Sequence, residues 1–136
     1  MRTVVFTNGC FDMVHAGHVR ILEYARSLGD KLIVGLNSDD SITRIKGEGR
    51  PVQSQEDRKY CLEAFPFVDE VIIFEEDTEF NLLIKVMPDI VVKGSEWRGK
   101  LVIPDGISIK YYDLPVDKLS SSDYINEYGM NNEKDI

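Results

Sequence analysis

The chain has 136 residues, 43% hydrophobic and 29% charged, which describes one soluble globular domain with room for a buried core. Its 16 Lys and Arg against 24 Asp and Glu leave a formal net charge of -8, a field that repels nucleic acid and anionic membranes unless a local basic patch overrides it. No apolar run approaches the roughly 18 residues of a membrane helix, and the opening MRTVVFTNG has no h-region followed by a small-residue cleavage site. Cys10 and Cys61 read as small core residues of a reduced, cytoplasmic protein.

Strand-like runs alternate with helical patterns along the chain. TVVFTN (3–8) is the first strand, and Ile21, Leu22, Ala25 and Leu28 then fall at helical spacing over 16–28, stopped by Gly29. KLIVGLNS (31–38) is a second buried strand, followed by a polar loop over 39–53. Ser54 and Asp57 open a helix that runs to about Phe65. DEVIIF (69–74) is a third strand. Phe80, Leu83, Ile84 and Met87 form one helical stripe ended by Pro88, and DIVVKG (89–94) is a fourth strand. ISIKYYDL (107–114) alternates apolar and polar residues, which places it at a sheet edge with one wet face. A short helix is expected after LSSS, and a frayed tail after that. The order predicts an α/β fold, a Rossmann-like three-layer sandwich on a mostly parallel five-stranded sheet, with ligands beyond the carboxyl ends of the strands.

The stretch TNGCFDMVHAGH (7–18) lies at that end. Gly9 permits a tight turn that brings backbone N–H groups close to a ligand. The helix starts near Ala16, so its N–H groups and positive dipole end face the same place. His15 and His18 lie one turn apart on one side of it, and Gly17 leaves room for approach. The pair suits a metal clamp, an acid/base pair or a phosphate cradle. Zinc wants a third protein ligand, and Cys10 and Asp12 precede the helix in a tight turn, so phosphate is favoured and no metal ligand is assigned. RIKGEGRP (44–51) brings Arg44, Lys46 and Arg50 toward the same pocket. Arg58 shares a helical face with Leu62 and Phe65, which predicts a bound anion or a buried carboxylate beside it. Asp39 meets either substrate or water, and Trp97 either stacks on a ligand base or packs.

GCFDMVHAGH resembles the G-x-F-D-x-x-H-x-G-H signature of the cytidylyltransferase-like nucleotidyltransferases, and the resemblance extends to about residue 125. It implies a nucleotidyltransferase domain over 1–128 with a tail over 129–136. It implies that His15 and His18 bind a triphosphate and stabilise the transition state at its α-phosphate, while Lys46 folds over the phosphates. Asn8, Gly9, Cys10 and Phe11 then hold the nucleotide's phosphate side, with Phe11 and Asp12 shaping the loop. Arg58 contacts phosphate, and Lys93 and Gly94 meet base and ribose through backbone groups. LSSSDYI resembles the family's I-S-T-T-x-I motif, so Ser120, Ser121 and Ser122 meet the β- and γ-phosphates. Asp39 and Trp97 fall to the substrate side, Mg²⁺ accompanies the triphosphate, and a homodimer is implied.

Two branches of the family are similar. NSDD, KGEGRPV, FEEDT and PDIVVKG match stretches of the heptose 1-phosphate adenylyltransferases. Glycerol-3-phosphate cytidylyltransferases carry R-Y-V-D-E-V and R-T-E-G-I-S-T-T, where this chain has PFVDEV and VDKLSSS, although SEWRGK is more like their version. ATP is therefore expected over CTP, and a sugar 1-phosphate over glycerol 3-phosphate. A heptose enzyme of this length would act beside a separate kinase. A nucleotide-binding module without catalysis is the reading from another class, opposed by the presence of both histidines and Lys46.

Overall fold

The computed structural model describes residues 2–113, so Ser120, Ser121, Ser122, the helix expected after LSSS and the tail lie outside the described residues. The elements are β1 (Val4–Gly9), α1 (Ala16–Ser27), β2 (Lys31–Asn37), α2 (Asp39–Lys46), α3 (Gln55–Glu63), β3 (Glu70–Phe74), α4 (Phe80–Val86), β4 (Ile90–Gly94), a 3₁₀ turn (Ser95–Trp97) and β5 (Ser108–Tyr112). The five strands form one sheet in the order β3-β2-β1-β4-β5, and every neighbouring pair is parallel. The order reverses between β1 and β4. This is a Rossmann-like α/β fold.

Alternating strand residues feed two cores, as a sheet covered on both faces requires. Val5, Leu32, Val34, Leu36 and Val92 pack with Leu22 and Ala25 of α1 and Leu62 of α3. Phe6, Ile33 and Val91 pack on the other face with Leu82 and Leu83 of α4. Helices α1 and α3 thus cover one face and α4 the other. Strand β5 is an edge, paired with β4 alone. Among the described residues no helix is long and apolar enough to cross a membrane.

The polar loop expected over 39–53 is a helix in its first half. Ser38 caps α2 by accepting from the Ser41 N–H, Asp39 and Asp40 sit in the first turn, and Gly47 ends it at φ 97°. Three aspartates tie the strands at the opposite edge of the sheet. Asp30, Asp69 and Asp89 accept from the amides of Thr3, Leu32 and Val4 at 2.7, 2.8 and 2.8 Å. They fix register at the end remote from the switch in strand order and place carboxylates there.

Candidate active site

A cavity of about 440 Å³ opens over the carboxyl ends of β1 and β4. Its wall includes Asn8, Gly9, Cys10, Phe11, His15, His18, Lys46, Lys93, Gly94 and Trp97, ten of the residues singled out from the sequence. Asp39 and Arg58 do not line it.

The loop between β1 and α1 is built around Phe11. Its backbone has φ 48°, and Met13 follows at φ 63°, both in the left-handed region that non-glycine residues seldom occupy. The Phe11 ring turns inward, 6% exposed, and sits 3.2 Å from where a Cβ on Gly9 would stand. A Cβ at Gly9 would press on that ring, which would have to yield by a few tenths of an ångström. The ring also lies 5.2 Å from that of His18.

Both histidines belong to the helix cap. His15 is the N-cap of α1 and its Nδ1 accepts from the Gly17 N–H at 3.1 Å. His18 reaches back, and its Nδ1 accepts from the His15 N–H at 3.2 Å. The rings stack with centroids 4.0 Å apart. An Nδ1 that accepts cannot carry the proton, so each neutral imidazole is the Nε2–H tautomer. Burial holds His15 below its ordinary pKa. His18 is pushed down to about 3 by burial, then by the charges of His15 and Lys46. The site thus places two neutral imidazoles at the positive end of a helix. Backbone N–H groups expected to face the ligand are instead partly used by the histidines themselves.

Of the three basic residues in 44–51, Lys46 alone lines the cavity. Arg44 pairs with Asp77 at 2.9 Å and donates to the Glu75 carbonyl. Arg50 pairs with Asp12 at 3.4 Å. Asp12, 1% exposed, also accepts from the amides of Val52 and Gln53 at 2.8 and 3.0 Å. It shapes the loop by joining it to the segment that follows Lys46.

Arg58 differs from the expectation that it contacts phosphate. It is 0% exposed, and its guanidinium donates to the carbonyls of Gln53, Cys10 and Asn37 and to Asp39 Oδ1, at 2.8 to 3.0 Å. A carboxylate is the partner observed, with three carbonyls added, but the Asp39 side chain is 40% exposed and not the buried group expected. Asp39 is held by that bond, and its N–H donates to Gln55. Arg58 and Asp39 therefore build the floor behind the cavity.

Lys93, 6% exposed, ends β4 facing Asn8 Oδ1 at 3.2 Å and the Trp97 ring at 4.6 Å. Burial lowers its pKa, against the opposing pull of Glu79 and Glu96. Its side chain joins the wall, where a backbone role was expected. Burial raises the Cys10 thiol. Both cysteines are half-buried and free. Glu79, on the wall and 8% exposed, was not singled out from the sequence. Its signal there is an acid directly ahead of the helical stripe, four residues before Leu83.

The cytidylyltransferase-like family pattern matches residues 6–109. The bifunctional protein HldE of Campylobacter concisus is 57% identical over 106 residues, which is 78% of this chain and 22% of that protein. HldE of Campylobacter fetus is 48% identical over 128 residues, 93% of this chain and 28% of that protein. The chain thus spans between 22% and 28% of the length of these two relatives. A lipopolysaccharide core biosynthesis protein from Thermoplasma volcanium has a similar structure, with a TM-score of 0.67 at 26% identity over 85% of this chain and 98% of that one.

Proposed function

Because this chain belongs to the cytidylyltransferase-like family, we propose that it is a nucleotidyltransferase that joins the nucleoside monophosphate of a triphosphate to a phosphorylated small molecule. The observation that carries this reading is the double cap of α1. Two stacked histidines spend Nδ1 on the backbone and so keep Nε2–H, at a helix start that lines one cavity with Lys46.

In the reaction an oxygen of the acceptor's phosphate attacks the α-phosphorus. A new P–O bond forms there, the bond to the bridging oxygen of the β-phosphate breaks, and pyrophosphate leaves with the electron pair. No protein nucleophile takes part. The protein aligns the two phosphates and stabilises charge on the oxygens of the transition state. Neutral imidazoles suit this role because they donate hydrogen bonds without giving up a proton to the phosphate. Lys46 supplies full charge from the last turn of α2, where an exposed stem lets it move over the ligand. The triphosphate is taken as its magnesium complex.

For the substrates we favour ATP and a sugar 1-phosphate, heptose 1-phosphate first. The stretches KGEGRPV, FEEDT and PDIVVKG and the similarity to the HldE proteins support this. The family resemblance also supports a cytoplasmic homodimer, which light scattering on the purified chain tests. The deciding experiment measures pyrophosphate release with Mg²⁺, crossing ATP and CTP against heptose 1-phosphate, other sugar 1-phosphates and glycerol 3-phosphate. Release with ATP and a sugar 1-phosphate is expected. Release with CTP and glycerol 3-phosphate alone overturns the substrates, and silence in every combination overturns catalysis.

A further inference from the structure

The cavity has a second charged end, on the α4 side of the sheet. Glu79 stands at the N-cap of α4 yet makes no capping hydrogen bond. It is 8% exposed, lines the cavity, and its carboxylate accepts no hydrogen bond and joins no ion pair among the described residues. Lys93 is 6% exposed and lines the same cavity. Its ammonium has three N–H donors, of which one reaches Asn8 Oδ1. Glu79 and Lys93 feel each other electrostatically but do not touch. Both residues are more than nine-tenths buried, yet neither charged group is among the sealed unsatisfied polar atoms, so both open onto the cavity, where a ligand group can replace water.

We propose that Glu79 and Lys93 form a sugar-hydroxyl subsite, in which one ligand hydroxyl accepts from Lys93 Nζ and donates to the Glu79 carboxylate. A hydroxyl is the smallest group that both donates and accepts, so it satisfies both charges at once. A phosphate satisfies only Lys93 and is repelled by Glu79. Around the pair the wall has the same character. The Glu96 carboxylate folds over Gly94, with its oxygens 2.3 and 2.5 Å from where a Cβ would stand, and Trp97 presents its ring beside Lys93. Acceptor oxygens beside one aromatic face suit a polyhydroxylated ring.

The inference rests on the nucleotidyltransferase reading for which hydroxyl is bound. In an in-line displacement the incoming group lies opposite the leaving pyrophosphate. With the reacting phosphate at His15 and His18 on the α1 start and the pyrophosphate under Lys46, the acceptor is assigned to the α4 start, where Glu79 stands. The hydroxyl is therefore assigned to the acceptor sugar, and the ribose of the triphosphate is the other source of the same chemistry.

Calorimetric binding to the full chain tests this without turnover. The wild type, Glu79→Gln and Lys93→Met are titrated with sugar 1-phosphates and their monodeoxy counterparts, and with ATP and its 2′- and 3′-deoxy forms. The wild type is expected to favour one hydroxylated sugar 1-phosphate over its deoxy counterpart by roughly ten-fold, the size of one charge-assisted bond. Each variant should bind the hydroxylated ligand and its deoxy counterpart equally, whatever its affinity for the deoxy ligand. The same pattern with ATP alone supports the subsite and moves it to the ribose. If the wild type shows no preference in either series, or a variant that folds keeps it, the subsite is refuted. Binding with this preference but no pyrophosphate release would sink the catalytic reading and leave the subsite standing.

Discussion

His18 is held neutral at the positive end of a helix, and this has consequences for stability as well as for the proposed catalysis. In the unfolded chain a histidine titrates near pH 6.5, whereas in the native protein His18 is pushed down to about 3. Below pH 6.5 the unfolded state therefore binds a proton that the native state refuses. Stability falls as the pH is lowered, beginning near 6.5 and ending near 3, by roughly 5 kcal/mol in total for this group. His15, lowered by burial, acts in the same direction. Urea midpoints for wild type and His18→Ala between pH 7.5 and 4 measure this. The variant should show the shallower acid slope, and equal slopes would contradict a neutral buried His18. Under the proposed mechanism the same substitution removes a donor to the reacting phosphate and should lower kcat by roughly 10² to 10³. Its cost to the fold at pH 7.5 is the lesser one of a helix cap, about 1 kcal/mol.

At the level of elements, α3 holds the site together through one side chain. Arg58 bonds the end of β1 at Cys10, the end of β2 at Asn37, the start of α2 at Asp39 and the loop at Gln53. Arg58→Met strands three carbonyls and a carboxylate, and should cost roughly 3 kcal/mol or more in urea unfolding. Arg58→Lys should recover less than half, because one ammonium cannot span those directions. Asp12 does comparable work for the segment that follows Lys46. Asp12→Asn replaces an acceptor to two amides by a group that faces one of them with N–H. It should raise KM for the triphosphate several-fold with a smaller change in kcat.

Much of this scaffold was legible from local pattern. Periodicity separated the strands from α1 and α4, the Ser54 and Asp57 pair marked the start of α3, and the spacing of His15 and His18 placed them at one helix start. Helix α2 was missed because it buries only Ser41 and Ile42, too few for an apolar stripe. The Ser38 cap, two acids and a terminal Gly47 were the signals that mark it. Arg58 was legible as inward, but its partners lie up to 48 residues away, so local pattern could not choose between anion and carboxylate. The partners of Asp12 and the isolation of Glu79 depend likewise on tertiary placement.

The whole molecule sets a net charge of -8 against an anionic ligand. Part of that charge is placed away from the cavity, since Asp30, Asp69 and Asp89 bind strand amides at the opposite edge of the sheet. The remaining field still opposes a triphosphate at long range, while Lys46 and the α1 start attract it at contact. Salt separates these effects. At 0.15 M the screening length is about 8 Å, so repulsion across the molecule is largely removed while contacts inside the cavity lose less. Raising NaCl from 10 to 150 mM (roughly the range over which the screening length falls from 30 to 8 Å) should therefore increase the association rate of the triphosphate. Stopped-flow measurement with a fluorescent ATP analogue, at fixed free Mg²⁺, gives that rate directly. Lys46→Ala should steepen the rise, because the attraction that salt weakens has been removed. A rate that falls with salt in the wild type would mean that the local cations dominate approach as well as contact, and that the acidic surface does not oppose it.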